Sequence, residues 1–141
     1  MCLIVDANVC SVVLKKTSDT AYLELRKAIF SNRLTLIHGG KLTQEYEKVG
    51  VLGVIASLAQ SGRAFKVSDA LIDAQLEQVK SRCQSNDEHV IALARADRKR
   101  AHLLCTDDEA LRGDFKTKSL IDNPRGTIYS PSRHKLSLAN C

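Results

Sequence analysis

No stretch of this chain approaches the roughly 20 consecutive apolar residues that span a bilayer, and its first residues hold no basic region leading into a long apolar run. A membrane segment and a secretory leader are therefore not expected, and the reading is cytoplasmic. No two cysteines form a C-x-x-C pair: the five, at positions 2, 10, 83, 105 and 141, are scattered and odd in number. Neither a disulfide framework nor a zinc site follows from such spacing, so reduced, mostly buried thiols are expected. Low-complexity segments are also missing, and with 44% hydrophobic and 26% charged residues nothing argues for disorder or a linker. The length of 141 residues predicts one domain over residues 1–141.

Several catalytic signatures are likewise absent. There is no Ser-His-Asp ordering, no Gly-rich phosphate loop and no G-x-G-x-x-G. The histidines at 38, 89, 102 and 134 lack metal-ligand spacing and read as structural or surface residues. The net charge of +5 permits binding to a polyanion without requiring it.

What is present is an alternation of strand-like and helix-like segments. Met1 to Val5 is an apolar run without alternation, as in a strand buried on both faces, and it stops at Asp6. Asp6 and Asn8 are both favoured helix caps, so either can start the short helix over Val9 to Leu14. Ser18 can cap a second helix carrying Leu23, Leu25, Ile29 and Phe30, and Arg33 to His38 reads as a second strand before Gly39-Gly40. A single helix is predicted from about Lys41 to Gln60. At 100° per residue its apolar stripe holds Leu42, Tyr46, Val49, Gly53 and Ala56, with Glu45 projecting inside the stripe. A carboxylate there is costly unless paired, hydrogen-bonded, bound to a cation or left wet at the rim.

Arg63 to Val67 reads as a third strand and Ser68-Asp69 as the start of a helix to about Arg82. Ser85-Asn86-Asp87-Glu88 has the spacing of a capping box, which puts Asp87 in the first turn facing inward and turns Glu88 and His89 away. That helix ends in the basic run Arg98-Lys99-Arg100. Ala101 to Cys105 is a buried strand ending in Thr106-Asp107-Asp108, followed by a short helix up to Gly113 and the Asp114-Phe115 turn. Gly126 to Ser130 supplies one more short strand. The pattern predicts an α/β domain of three layers, α/β/α, around a mostly parallel sheet with right-handed crossovers.

In such a sheet the strand carboxyl ends share one edge, and Asp6, Glu45, Asp87 and Asp108 all fall near it. Each has an ordinary explanation as a cap or dipole partner. Together they make clustered carboxylates that a hard divalent cation would relieve.

The strand followed by D-x-N (Asp6, Asn8), the helical Glu45, the S-N-D-x-x-V-I-A-L-A run from Ser85 to Ala94, and L-L-C-T-x-D with a later D-F (Leu103 to Phe115) resemble the PIN domain family. The motifs span nearly the whole chain in the family's order. The resemblance implies a Mg²⁺- or Mn²⁺-dependent endoribonuclease with Asp6, Glu45, Asp87 and Asp108 at its acidic site. It also implies Asn8, Asn86 and Thr106 as supporting polar residues, with Asp107 the alternative to Asp108 as the fourth acid. Arg95, Arg98 and Lys99 are weaker candidates for gripping phosphate. Small members of the family resemble toxins of bacterial toxin-antitoxin pairs, which implies an antitoxin partner; homodimers are common among them. The rival expectations are a non-catalytic RNA- or protein-binding module, and a structure-specific DNA nuclease in a larger defence assembly.

Overall fold

The computed structural model describes residues 2–15, 22–31 and 34–130. The expected Ser18 cap and the segment after Ser130 fall outside them. In chain order the elements are β1 (Cys2–Val5), α1 (Ala7–Leu14), α2 (Leu23–Phe30), β2 (Thr35–His38), α3 (Gly40–Lys48) and α4 (Leu52–Gln60). They continue with β3 (Ala64–Lys66), α5 (Asp69–Val79), α6 (Glu88–Ala96), β4 (Leu103–Cys105), α7 (Glu109–Lys116) and β5 (Thr127–Ile128). Among the described residues five strands form one sheet in the order β3-β2-β1-β4-β5, and every pairing is parallel. With seven helices among the same residues flanking the sheet, the architecture is α/β, consistent with three layers.

The unbroken apolar character of the first strand has its cause in this order. β1 is the central strand, and all four of its residues are buried. A strand covered on both faces has no solvent side on which alternation would help. The chain builds outward from β1 through β2 to β3, then crosses to the other side of β1 for β4 and β5. The direction therefore reverses between β1 and β4. A crevice opens outside the carboxyl ends of adjacent strands at such a reversal, where the loops diverge. The residues leaving those two strands are Asp6 and Thr106.

The helix predicted over Lys41 to Gln60 is two helices. Its expected stripe continues unbroken through 49–53, but Gly50 takes φ +75°, which ends α3 and lets α4 start at a new angle. Gly53 and Ala56, placed on the buried stripe by the uninterrupted wheel, are exposed on α4. At the other end of α3, a Cβ on Gly39 would meet the Val67 carbonyl oxygen and Ile72 Cδ1, each at 2.7 Å. Glycine there lets the turn out of β2 sit against the start of α5.

Among the cysteines, Cys10, Cys83 and Cys105 are free. Cys2 departs from the expectation of reduced thiols, being disulfide-bonded. None of the helices among the described residues is long and apolar enough to cross a membrane.

Candidate metal centre

Three separate links bring the acids to the crevice. The first ties β1 to β4: the Asp6 N–H donates to the Cys105 carbonyl at 2.9 Å, and the Thr106 hydroxyl donates to Asp6 Oδ2 at 2.6 Å. Asp6 is 4% exposed and stands as the N-cap of α1 without the usual side-chain capping bond, so the carboxylate is not consumed as a cap. The second link runs through Tyr46, which is fully buried and donates its hydroxyl to the Val5 carbonyl. That bond fixes α3 against the end of β1, and the residue before Tyr46 is Glu45. The third is made by Asp114, whose buried carboxylate accepts from the N–H groups of Gln84 and Ser85, each at 2.9 Å. Ser85 Oγ in turn accepts from the Asp87 N–H at 3.3 Å. Asp114 therefore shapes the loop that delivers Asp87.

The acid electrostatics follow from this convergence. Burial pushes the Asp6 carboxyl above its ordinary range, and the Asp87 and Glu45 carboxylates push it further. The Thr106 hydroxyl and the Ala7 N–H pull the other way. Asp87 is also raised, first by burial and then by Glu45 and Asp108, while His89 and Lys41 oppose the rise. Four carboxylates thus act on one another from four different parts of the chain.

His89 was expected to turn away from the acids. It is instead buried, 6% exposed, with Nε2 2.5 Å from Glu45 Oε1. Ligand atoms of Glu45, Asp87 and His89 all lie within 4.8 Å of one another. α6 begins at Glu88, with Asp87 as its N-cap in a non-helical conformation and no side-chain cap bond, so the predicted capping box starting at Ser85 is not formed. From His89 to Ala94 the helix is buried all round, which leaves no outward face at 89 for a one-sided wheel to assign.

Of the two acids after Thr106, Asp108 faces the cluster and also caps α7, with its Oδ1 accepting from the Leu111 N–H at 2.9 Å. Asp107 is exposed and accepts from the Tyr22 hydroxyl at 2.9 Å. Asn8 and Asn86 are exposed. Arg95 lies elsewhere: α6 starts at the acids and runs back toward the opposite sheet edge, about 13 Å over its nine residues. Its guanidinium donates to Gln75, Gln78 and the Leu120 carbonyl, so Arg95 holds α5 and the 118–123 segment together. Arg98 and Lys99 follow it at that far end. Lys41, not singled out from the sequence, is the cation whose charge reaches Asp87.

Comparison with known proteins returns no match to a family model, a curated protein or a solved structure. The donor set itself is what remains to be read. Carboxylate oxygens suit a hard divalent cation, and the imidazole adds a nitrogen donor. Glu45, Asp87 and His89 are the residues whose ligand atoms come close enough together to share such an ion; Asp6 and Asp108 stand outside that group and reach it through their charge.

Proposed function

We propose that the chain is a divalent-metal-dependent nuclease acting on RNA, as its resemblance to the PIN domain family implies. The observation that carries the reading is that Glu45 and Asp87 come within ligand distance of each other, with the Asp6 carboxylate at the end of β1 close enough to feel both charges and Asp108 close enough to act on Asp87. Clustered, partly buried carboxylates repel and are costly to keep without a cation. A bound Mg²⁺ or Mn²⁺ would supply charge neutralisation at the phosphate and acidify a water at neutral pH.

In this reading Asp6, the most buried of the four, holds the ion, oriented by the Thr106 hydroxyl. Asp87 and Glu45 complete the ligand set, and His89 fixes the Glu45 carboxylate through its hydrogen bond. Asp108 adds negative charge at the rim while capping α7. Lys41 replaces Arg95, Arg98 and Lys99 as the cation best placed for a phosphate near the acids.

The test is cleavage of a labelled single-stranded RNA with Mg²⁺ or Mn²⁺ by the natural chain and by Asp6→Asn. Cleavage by the natural chain, lost in the variant and in EDTA, is the expected result; equal rates for the two proteins sink the assignment. A toxin role rests on the family resemblance and on size. A short neighbouring reading frame whose product binds this chain and stops the cleavage is the observation that tests it.

A further inference from the structure

A cavity of about 320 Å³ opens beside the acids, between α3 and α5, with His89 in its lining. His89 also belongs to the Glu45-Asp87-His89 cluster, so the cavity and the candidate metal centre share a wall. Resting on the nuclease reading, we propose that this cavity is a nucleobase pocket that receives the unpaired base next to the scissile phosphate.

The lining sorts itself by chemistry. Lys41 and Gln44 come from α3, the helix that carries Glu45. Lys41 lies close enough to the acids to oppose the rise in the Asp87 pKa, which marks the phosphate end of the cavity. Ile72 and Leu76 of α5 give an apolar wall against which the flat face of a base can lie. Asp69 and Asp73 of the same helix also line it, and their charge disfavours a second phosphate. The same carboxylates accept N–H donors, which a base offers through its exocyclic amino group and a phosphate diester does not. The polarity therefore orients a nucleotide: phosphate toward Lys41 and the metal centre, base toward Asp69 and Asp73. The volume lies at the low end for small-ligand pockets, enough for one nucleoside.

Two consequences separate this pocket from general attraction to a polyanion. Duplex RNA cannot offer the base, so substrates are single-stranded at the cut. Adenine, cytosine and guanine carry an amino group whose two N–H can serve both Asp69 and Asp73, whereas uracil offers the single N–H of its ring, so oligo(C) and oligo(A) should bind more tightly than oligo(U).

The experiment measures binding by fluorescence anisotropy, with Ca²⁺ in place of Mn²⁺, for a labelled single-stranded oligo(C), an abasic strand of equal length and a duplex. Contact with one base face predicts roughly tenfold tighter binding of the intact single strand than of either comparator. Leu76→Ala should remove most of that difference, as should Gln44→Ala at an exposed position. Lys41→Ala should weaken the intact and abasic strands alike. Equal affinity for intact and abasic strands overturns the pocket, as does a duplex bound as tightly as the single strand. Cleavage assayed with Mn²⁺ on the same strands separates the two ideas. Base-dependent binding without cleavage keeps the pocket and sinks the nuclease; cleavage without base-dependent binding does the reverse.

Discussion

Replacing Asp87 by Asn tests the electrostatics of the cluster without requiring any catalysis. Glu45 and Asp87 place oxygens within 4.8 Å of each other. At that separation two unit charges repel by about 3.5 kcal/mol at an effective dielectric of about 20, and by about 0.9 kcal/mol in bulk water. Asp87 is half-buried, so the applicable value lies between these limits. The change also removes an acid from the start of α6, a loss of about 0.3–1 kcal/mol, and the favourable His89 charge. Asp87 makes no side-chain cap bond, so Asn forfeits none. The net expectation is a metal-free variant more stable near neutrality by about 1 kcal/mol, or roughly 3–5 °C in melting temperature for a chain of this length.

The pH dependence has a definite sign. The folded Asp87 carboxyl is raised above its ordinary 3.8, chiefly by burial. Its contribution is therefore favourable below that value and is lost as pH rises through the raised one. The advantage of Asp87→Asn should be largest near neutrality and vanish in the acid range below 3.8. Thermal unfolding followed by circular dichroism, in EDTA and in millimolar Mn²⁺, reads both effects. Mn²⁺ should raise the melting temperature of the natural chain and do so less in the variant. A variant that is destabilised near neutrality in EDTA, with an unchanged response to Mn²⁺, refutes the picture of mutually repelling ligands.

Three further substitutions probe the supports of the cluster. Asp114→Ala strands the Gln84 and Ser85 amides in the loop before α6; urea unfolding should show a loss of about 3 kcal/mol, and a change under about 0.5 kcal/mol would contradict the role given to Asp114. Thr106→Val removes the donor to Asp6 Oδ2 and the acceptor of the Asp108 N–H; a cost of about 1–3 kcal/mol together with weaker Mn²⁺ binding by calorimetry is expected, and unaltered Mn²⁺ affinity would count against the orienting bond. Gly126→Ala would drive a Cβ into the Phe115 carbonyl oxygen and ring; a fall of about 1–3 kcal/mol or more should appear in the same unfolding assay, and a neutral result would mean that the β5 approach is looser than described.

Much of the sheet could be read from sequence because buried parallel strands leave an unbroken apolar signature, as Leu3-Ile4-Val5 and Leu103-Leu104-Cys105 do. Asp6 was conspicuous for the same reason, being the first polar residue after such a run. The break between α3 and α4 was not legible, because an apolar stripe passes through 49–53 and a single glycine is tolerated within many helices. His89 was not legible because α6 is buried on every side from His89 to Ala94, and a one-sided apolar wheel assigns an outward face that the packing does not leave. Arg95 was misjudged because its partners lie on α5 and beyond Ser119, contacts that no local pattern announces. Lys41 carried no motif and became visible only through its neighbours in space.

The central position of β1 has a consequence for synthesis. β1 is flanked by a strand that begins at Thr35 and by one that begins at Leu103. The bond between Thr106 and Asp6 spans 100 residues of chain. Loop closure over that distance comes late, after the local helices and the β1-β2 pairing have formed. A ribosome must therefore release the chain through β4 before Asp6 meets its partner there. A chain still in translation carries the acids but not their arrangement, so any activity that depends on the cluster begins only with the finished fold.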